Sequence, residues 1–503
     1  MIATTFTKLI TSDSMKPTLR LNRQPQAAHW ILALSVLCAH DAVLAQTQNT
    51  TTKYEYDAMG NVTKITNPNN AISTQTYDAL GQLTTQVDPN NKTTTYNYDG
   101  QGRLVKVTDA RNLNTLYTLD GLGNQLSLVS PDTGTTITTV DIAGNVLTRK
   151  DAKNQTTTYT YDVLNRITSI QYHDGQMVSY RYDAGTNAKG RLTQITDSNG
   201  SISYTYDARG RILSETRTMT VNSTPATSLT VTTSYQYDAL GRLSQLTYPN
   251  GRRLTYTRDS LGRITQIDTN KDGVSATILS QVVYRPFGGV QSYLNSAGQT
   301  YTRGFDIDGR ITSYTLNNQV QAISYDAANR IISINQVNSS TQLATYGYDS
   351  LDRLTSYLTP QVSQSFTYDA VGNRSTQTLG AANTNYTYGT TSNRLTQIAG
   401  SQTTPIVMDP NGSTTNNGQA QFTYDTRGRM VSATTAAGVV QYQINALGQR
   451  VQKTLIGTGG NPNVATIYHY DLGGKLLGEV TGSGGGSDTS YVYLDDIPVA
   501  VIK

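Results

Sequence analysis

The chain has 503 residues, a hydrophobic fraction of 36% and a mean hydropathy of −0.42, values that are low for a chain of this length with one thick core. The formal net charge of +4 at pH 7 is close to neutral, which argues against nucleic-acid binding through a basic surface. There are 34 tyrosines but only 5 phenylalanines and 1 tryptophan. Because a tyrosine ring can pack while its hydroxyl stays hydrated, this composition favours sheets that face water or a lumen.

The N-terminal segment has the features of an export signal. Basic residues precede an apolar run from Trp30 to Cys38, and Val43-Leu44-Ala45 has the small residues of a cleavage site. The run is too short to cross a bilayer, so we expect no transmembrane segment in the exported chain.

We therefore predict a signal peptide over residues 1–45, cut between Ala45 and Gln46, with Met15 as an alternative start. The exported protein would be secreted or lie at the cell surface after Gram-negative-type export. Cys38, the one cysteine, would leave with the signal, so the mature chain would contain no disulfide.

A six-residue motif recurs with a fixed period along most of the chain. Its first copy is Tyr56-Asp57-Ala58-Met59-Gly60-Asn61, and the next copies begin at Tyr77 and Tyr98, each 21 residues further on. A fixed period in this range is typical of a repeat architecture, and the copies continue with looser spacing beyond Tyr206. The motif positions that we assign are Tyr56, Asp57, Gly60, Tyr77, Asp78, Gly81, Tyr98, Asp99, Gly102, Tyr161, Asp162, Tyr206, Asp207, Gly210, Tyr237, Asp238, Gly241, Tyr368, Asp369, Gly372, Tyr424, Asp425 and Gly428.

Each repeat predicts a β-hairpin. The tyrosines before Asp57 alternate with polar residues, as in a strand with two unlike faces, and Asp57 to Gly60 fits a type I turn whose glycine takes a positive φ. Asparagine, the usual second choice for that conformation, replaces the glycine at Asn165, Asn329 and Asn393. In the return strand the apolar residues are often three apart, as at Leu192 and Ile195, which predicts a bulge.

A second kind of turn, such as Asp88-Pro89-Asn90-Asn91, closes each unit. The fold class is therefore all-β, with repeated hairpins in one long antiparallel sheet. About twenty repeats would form a flat ribbon on the order of 190 Å long, and a sheet of that many strands twists and curls. The pattern predicts a shell or a tube and leaves open whether it closes.

We divide the chain into a repeat array over residues 46–480 and a Gly/Ser joint with a final strand over residues 481–503. The insertions Thr216–Ser234 and Asp268–Pro286 are expected to be longer loops or extra hairpins on the rim of the sheet.

The motif Tyr-Asp-Ala-Xaa-Gly-Arg-Leu at this spacing resembles the YD repeat of the RHS-repeat family, which includes the C component of bacterial Tc toxin complexes. The resemblance extends from about Tyr54 to the C-terminus, and Tyr491 to Ala500 resembles the segment that opens the RHS-associated core. It implies a long sheet that spirals into a hollow shell, with a variable toxin C-terminal to the core. Self-cleaving members use acidic residues beyond the segment found here, and the chain stops at Lys503, so no catalytic residue is carried over.

The sequence gives little sign of reactive or metal-binding chemistry. His173 and His469 lie beside tyrosines in strand patterns, without a cysteine to complete a metal cluster. Asp268 to Gly273 begins like a calcium loop, but Leu279 stands where a bidentate glutamate is required. We find no nucleophile with a base at a recognisable spacing, and expect no cofactor, no metal and no enzymatic activity.

The leading functional hypothesis is a secreted, non-catalytic shell of a polymorphic toxin system that encloses or presents a C-terminal toxin absent from this chain. A separately encoded core fragment is a second candidate partner. The alternative is a cell-surface adhesin whose exposed tyrosine rows bind saccharides; a hydrolase or autoprotease is disfavoured. We also expect Pro498 to Ile502 to form an unpaired apolar strand edge that promotes self-association.

Overall fold

A computed structural model describes residues 50–221, 227–286, 288–339, 342–457, 463–482 and 488–503. The predicted signal peptide and its cleavage site lie outside the described residues, as does most of the Gly/Ser joint. Within these ranges every regular element is a β-strand. No described helix has the length and apolar character needed to cross a lipid bilayer.

The strands are numbered β1 to β43 in chain order. The first fifteen are β1 Lys53–Tyr56, β2 Val62–Thr66, β3 Ile72–Tyr77, β4 Leu83–Val87, β5 Thr93–Tyr98, β6 Leu104–Thr108, β7 Asn114–Leu119, β8 Gln125–Ser130, β9 Gly134–Val140, β10 Val146–Lys150, β11 Thr156–Tyr161, β12 Ile167–Gln171, β13 Met177–Tyr182, β14 Leu192–Asp197 and β15 Gly200–Tyr206. The next fifteen are β16 Ile212–Val221, β17 Thr227–Tyr237, β18 Leu243–Thr247, β19 Arg253–Arg258, β20 Ile264–Lys271, β21 Val274–Tyr284, β22 Val290–Asn295, β23 Thr300–Phe305, β24 Ile311–Leu316, β25 Gln319–Tyr325, β26 Ile331–Gln336, β27 Gln342–Tyr348, β28 Leu354–Leu358, β29 Ser363–Tyr368 and β30 Arg374–Leu379. The last thirteen are β31 Ala382–Tyr388, β32 Leu395–Ala399, β33 Thr403–Pro405, β34 Val407–Met408, β35 Thr414–Asn416, β36 Ala420–Tyr424, β37 Met430–Thr435, β38 Gly438–Ile444, β39 Arg450–Leu455, β40 Val464–Tyr470, β41 Leu476–Thr481, β42 Asp488–Leu494 and β43 Ile497–Ile502.

The strands pair in chain order, each antiparallel to the next. β1 to β33 form one sheet of 33 strands, and β34 to β43 form a second sheet of 10 strands. The long sheet does not close on itself, because β1 and β33 each pair with only one neighbour among the described residues. The predicted all-β fold of repeated hairpins is confirmed.

The predicted bulge is present in the return strand. Tyr182 lies opposite Leu192, while Arg181 lies opposite Gln194, so Thr193 is an extra residue. The extra residue places Leu192 and Ile195 on the same face of the sheet, which explains their spacing of three. The same shift in register recurs at the motif turns throughout the chain, for example between Glu55 and Tyr56 and between Thr367 and Tyr368.

The motif turns have the expected backbone conformation, with one exception. Gly60 has a φ of 87°, and Asn165 and Asn329 take the same left-handed conformation at 59° and 66°. Asn393 is not among the residues with positive φ, so its assignment as a glycine substitute is wrong. That loop is longer, and its main chain closes through a hydrogen bond from the Gly389 N–H to the Arg394 carbonyl.

The two insertions were also assigned incorrectly. They lengthen existing strands, so that the hairpins β16–β17 and β20–β21 contain strands of 8 to 11 residues where most strands have 5 to 7. The extra length adds cross-strand pairs rather than a loop, from Thr216 opposite Thr232 to Val221 opposite Thr227.

The sheet has two chemically different faces. One face, the tyrosine face, carries the motif tyrosines and their cross-strand neighbours. The other, the threonine face, is exposed and carries hydroxyl pairs across strands, such as Thr139 with Thr148 and Thr367 with Thr376, each at 2.7 Å.

The sheet winds into a spiral with 23 strands per coil. Asn69, in the turn after β2, contacts Asp326 in the turn after β25, and Asn90 after β4 contacts Ser350 after β27. The closing turns of the first coil therefore rest on the motif turns of the second coil. We call this line of contact the seam. At about 4.8 Å per strand, 23 strands give a circumference of about 110 Å and a diameter of about 35 Å.

The last strands of the second coil lie inside the first coil. Tyr493 occupies a motif position, so its neighbours Val492 and Leu494 point to the opposite, threonine face; both are completely buried. They pack in the main hydrophobic core with Leu254 and Ile267, which lie on the tyrosine face of the first coil. A coil that packs on the tyrosine face of another lies on that side, so the tyrosine face points inward.

This packing corrects the expectation for the chain end. The run from Pro498 to Ile502 forms most of β43, but its apolar side chains do not all lie free: Val499, Ala500 and Ile502 contact the same core, while Val501 is exposed. Self-association through this strand edge stays a prediction with a weaker basis than the sequence suggested.

Candidate functional site

The aspartate of each repeat is used within its own turn. The Asp57 Oδ1 atom accepts hydrogen bonds from the main-chain N–H groups of Met59 and Asn61, at 2.9 and 2.8 Å, and Oδ2 accepts one from Asn61 Nδ2 at 2.9 Å. The side-chain bond from Asn61 lowers the pKa of Asp57, and the bond from Arg103 lowers the pKa of Asp99 in the same way. These carboxylates are ionised turn caps, which leaves them little capacity for acid–base chemistry.

The tyrosine of each repeat binds the preceding hairpin. The Tyr77 hydroxyl donates to the Val62 carbonyl at 2.9 Å, and the Tyr98 hydroxyl donates to the Leu83 carbonyl at 2.9 Å. In both pairs the acceptor is the residue just before the bulge of the return strand. The same bond is made by Tyr161, Tyr206, Tyr237, Tyr284, Tyr325, Tyr348, Tyr368, Tyr388, Tyr424, Tyr470 and Tyr493. Tyr56 is half exposed and begins the described array, where no earlier hairpin offers an acceptor.

The arginine after the turn connects the same two repeats. Arg353 Nε donates to its own turn aspartate, Asp349, at 2.6 Å, and Nη1 donates to the Asp369 carbonyl of the next repeat at 3.1 Å. Its guanidinium also lies over the Tyr368 ring, 4.8 Å from the centroid. Tyrosine, aspartate and arginine thus form one clamp per repeat. Sequence reasoning assigned no role to the arginine, although its constant place after the glycine was a usable signal.

The seam is built from the third residue of the closing turns. Arg111 donates to the Gly389 carbonyl at 2.7 Å and to the Ser392 carbonyl at 3.0 Å, both about 280 positions away. Asn393 returns a bond from Nδ2 to Asp109 at 3.0 Å. Lys153 pairs with Asp409 at 3.2 Å in the same arrangement. These cross-coil contacts were not predicted from the sequence.

A buried ionic group lies where the second coil enters the first. Glu215 and Arg217 on β16 form an ion pair and are 2% and 5% exposed, and His469 on β40 is also buried beside Arg217. Burial, and next the charge of Arg217, lowers the pKa of His469 to about 4. A neutral imidazole is therefore the form that this interface accepts at ordinary pH.

The other candidate residues show no reactive arrangement. His173 is exposed in a turn, and Asp268 accepts hydrogen bonds from Gln266 and Thr277 within a strand pair. Across the described ranges, no three His, Cys, Asp or Glu side chains come together as metal ligands would. The geometry is that of a wall held together repeat by repeat and coil by coil.

Comparisons with known proteins agree with this architecture. The RHS repeat family matches residues 42–72, 77–113 and 98–135, and the Teneurin YD-shell family matches residues 135–276 and 294–469. A search of curated proteins finds no match.

Among solved structures, the Photorhabdus luminescens Tc holotoxin pore is similar with a TM-score of 0.73 and 17% sequence identity. The crystal structure of TcdB2-TccC3 without its hypervariable C-terminal region gives a TM-score of 0.73 and 18% identity. In both cases the likeness covers 88% of this chain but only 27% of the other, so this chain corresponds to about a quarter of those proteins. Because the Teneurin YD-shell match extends over more than half of the residues, the chain belongs to the YD-shell family of RHS-repeat proteins.

Proposed function

We propose that this chain is a wall segment of a secreted, non-catalytic shell that encloses a polypeptide, and that this polypeptide belongs to a toxin system. The observation that carries the proposal is the position of the last strands. β42 and β43 pack on the inward tyrosine face of the first coil, with Val492 and Leu494 completely buried there. A polypeptide joined after Lys503, or a separate one that pairs with β43, would begin inside the spiral.

The dimensions limit what can be enclosed. Side chains on the inward face occupy about 5 Å on each side, half of the usual distance between packed sheets, so a spiral about 35 Å across leaves about 25 Å. A folded domain of about 100 residues has a radius of gyration of about 13 Å and would not fit. The enclosed polypeptide is therefore extended or unfolded.

Enclosure explains the inner surface better than carbohydrate binding does. A tyrosine that stacks on a sugar needs a free ring face, whereas the Tyr182, Tyr237 and Tyr368 rings are covered by arginines of the preceding repeat. Their hydroxyl or ring contacts hold repeats together, and the faces that remain exposed carry threonine. An adhesin is the less favoured function on this ground.

Protease protection tests the proposal. An unstructured reporter of about 40 residues with several trypsin sites would be attached after Lys503 in one protein and before Thr50 in a second. We expect the C-terminal reporter to be cut at least tenfold more slowly, because it starts within the coil.

The control opens the wall without touching the inner face. Changing Arg111 and Lys153 to glutamate places like charges opposite Asp369 and Asp409 across the seam, and should restore fast cleavage of the C-terminal reporter. Equal cleavage of the two reporters in the unaltered wall would contradict enclosure.

A further inference from the structure

The motif turns of the first coil form a row of exposed apolar side chains. We call this row the upper rim. Its tip residues are between 65% exposed at Met59 and fully exposed at Ile142. The row comprises Met59, Leu80, Leu122, Ile142, Val163, Leu240, Leu261 and Ile307. An ordered apolar row of this length on a soluble protein marks a contact surface.

The same turn positions are covered in the second coil. Leu351 and Val371 occupy the third position of their motif turns, as Leu80 and Leu122 do, yet both are half-buried. They face the closing-turn residues Asp109 and Ala110 of the first coil across the seam. The seam therefore shows, inside one chain, what the upper rim is built to contact: the closing turns of a coil stacked on it.

The chain also presents a free row of closing turns. In the second coil the residues where strands meet these turns are Leu316, Val337, Leu358 and Leu379, which are 21 residues apart and 40% to 54% exposed. We call this row the lower rim. In the first coil the corresponding Val87 faces the seam beside Arg330 and Tyr348.

The lower rim also carries polar groups of the right kind. Across the seam, Asn69 Nδ2 donates to the carboxylate of Asp326, a motif-turn aspartate, at 3.2 Å. Asn318 and Gln361 are exposed amides in closing turns of the lower rim, and the upper rim offers the aspartates of its motif turns. Amide-to-carboxylate bonds of the seam type can therefore form beside the apolar contacts.

We propose that a second copy of this chain docks on the upper rim through its lower rim, continuing the seam from one molecule into the next. The contact joins two different surfaces, so it leaves one rim free at each end and allows dimers and longer head-to-tail stacks. It does not depend on an enclosed polypeptide, and the protease test above can fail while this contact holds.

Paired variants test the head-to-tail geometry. Leu122→Asp with Ile142→Asp blocks the upper rim, and Leu358→Asp with Leu379→Asp blocks the lower rim. The matched control, Leu116→Asp with Ile137→Asp, changes exposed apolar residues in the middle of strands, away from both rims. Each protein is measured by light scattering coupled to size exclusion and by analytical ultracentrifugation, with circular dichroism to establish that the sheet is retained.

We expect concentration-dependent association of the unaltered protein and of the control, and at least a tenfold weaker association of either rim variant alone. A mixture of the two rim variants retains one intact pair of surfaces and should form dimers and nothing larger. A monomeric unaltered protein at 100 μM (about the upper end of the test), association that is unchanged in both rim variants, or a mixture that stays monomeric would overturn the proposal.

Discussion

Replacing Tyr237 by phenylalanine removes one clamp hydrogen bond and little else. The Tyr237 hydroxyl donates to the Ile212 carbonyl at 2.8 Å, and its ring lies under the Arg211 guanidinium, 4.4 Å from the centroid. Phenylalanine keeps the ring, its packing against the core and most of the cation–π contact. The Ile212 carbonyl, which is partly buried beside the bulge, loses this donor.

The magnitude follows from that loss. Leaving a partly buried carbonyl without its partner costs about 1–2 kcal/mol. Because the clamp joins neighbouring hairpins, the cost should lower the local opening free energy of β15 to β18. At about 1.4 kcal/mol per tenfold change in an equilibrium constant, amides in these strands should exchange about 5- to 30-fold faster.

Hydrogen exchange read by mass spectrometry measures this change peptide by peptide. Peptides from β15 to β18 should gain deuterium faster, whereas those from β3 to β8 should keep their rates. Tyr54→Phe is the matched control, because the Tyr54 side chain is half exposed and should change exchange by less than about twofold. Unchanged exchange of β15 to β18 in the Tyr237 variant would refute the clamp as the link between repeats.

Three further changes test other parts of the structure. Gly241 has a φ of 88°, so Gly241→Val should destabilise its hairpin by about 1–3 kcal/mol, while Gly241→Asn should cost much less because Asn165 takes this conformation in its own turn; thermal melting that ranks the two alike would argue against the turn geometry. Arg111→Ala removes the cross-coil bonds to the loop 389–394 and should cost about 1.5–3 kcal/mol, seen as faster exchange in that loop with β5 unchanged. The pKa of His469 is lowered from about 6.5 to about 4, so its contribution to stability is complete above pH 6.5 and is lost as the pH falls toward 4, about 2 kcal/mol at pH 5. His469→Gln should flatten this loss in urea unfolding between pH 7 and pH 5, and an unchanged slope would show that another group titrates there.

The hairpins could be predicted because their determinants are local. Asp57 and Gly60 define a turn within four residues, and the spacing of Leu192 and Ile195 reveals the bulge without any distant contact. The period of 21 then repeats the same local solution, and the resemblance to RHS repeats gave the spiral. Asn393 was misassigned because asparagine serves equally well as a left-handed residue and as a side-chain donor, and here the second role applies.

The seam could not be predicted from the repeat, because a period says nothing of curvature. Whether Arg111 meets residue 369 or a residue twenty positions away depends on how many strands complete one coil. That number follows from small twists summed over 23 strands, and an error of one strand moves every contact to another turn. Arg111 and Lys153 therefore looked like ordinary turn residues, although they stand at the third position of closing turns where their repeats carry Asn69 and Asn90.

The inward turn of the chain end did leave a trace in the sequence, in the polarity of the second face. Along most of the sheet the threonine face meets water, so a strand needs apolar residues on one side only, which accounts for a hydrophobic fraction of 36% in a chain of 503 residues. In β42, Tyr491 and Tyr493 alternate with Val492 and Leu494, so both faces must be covered. A strand of this kind is stable only between two layers, and the first coil supplies the outer one through Leu254. The change from threonine to valine and leucine on that face thus marks the place where the wall stops stacking coil on coil and begins to wind inside itself.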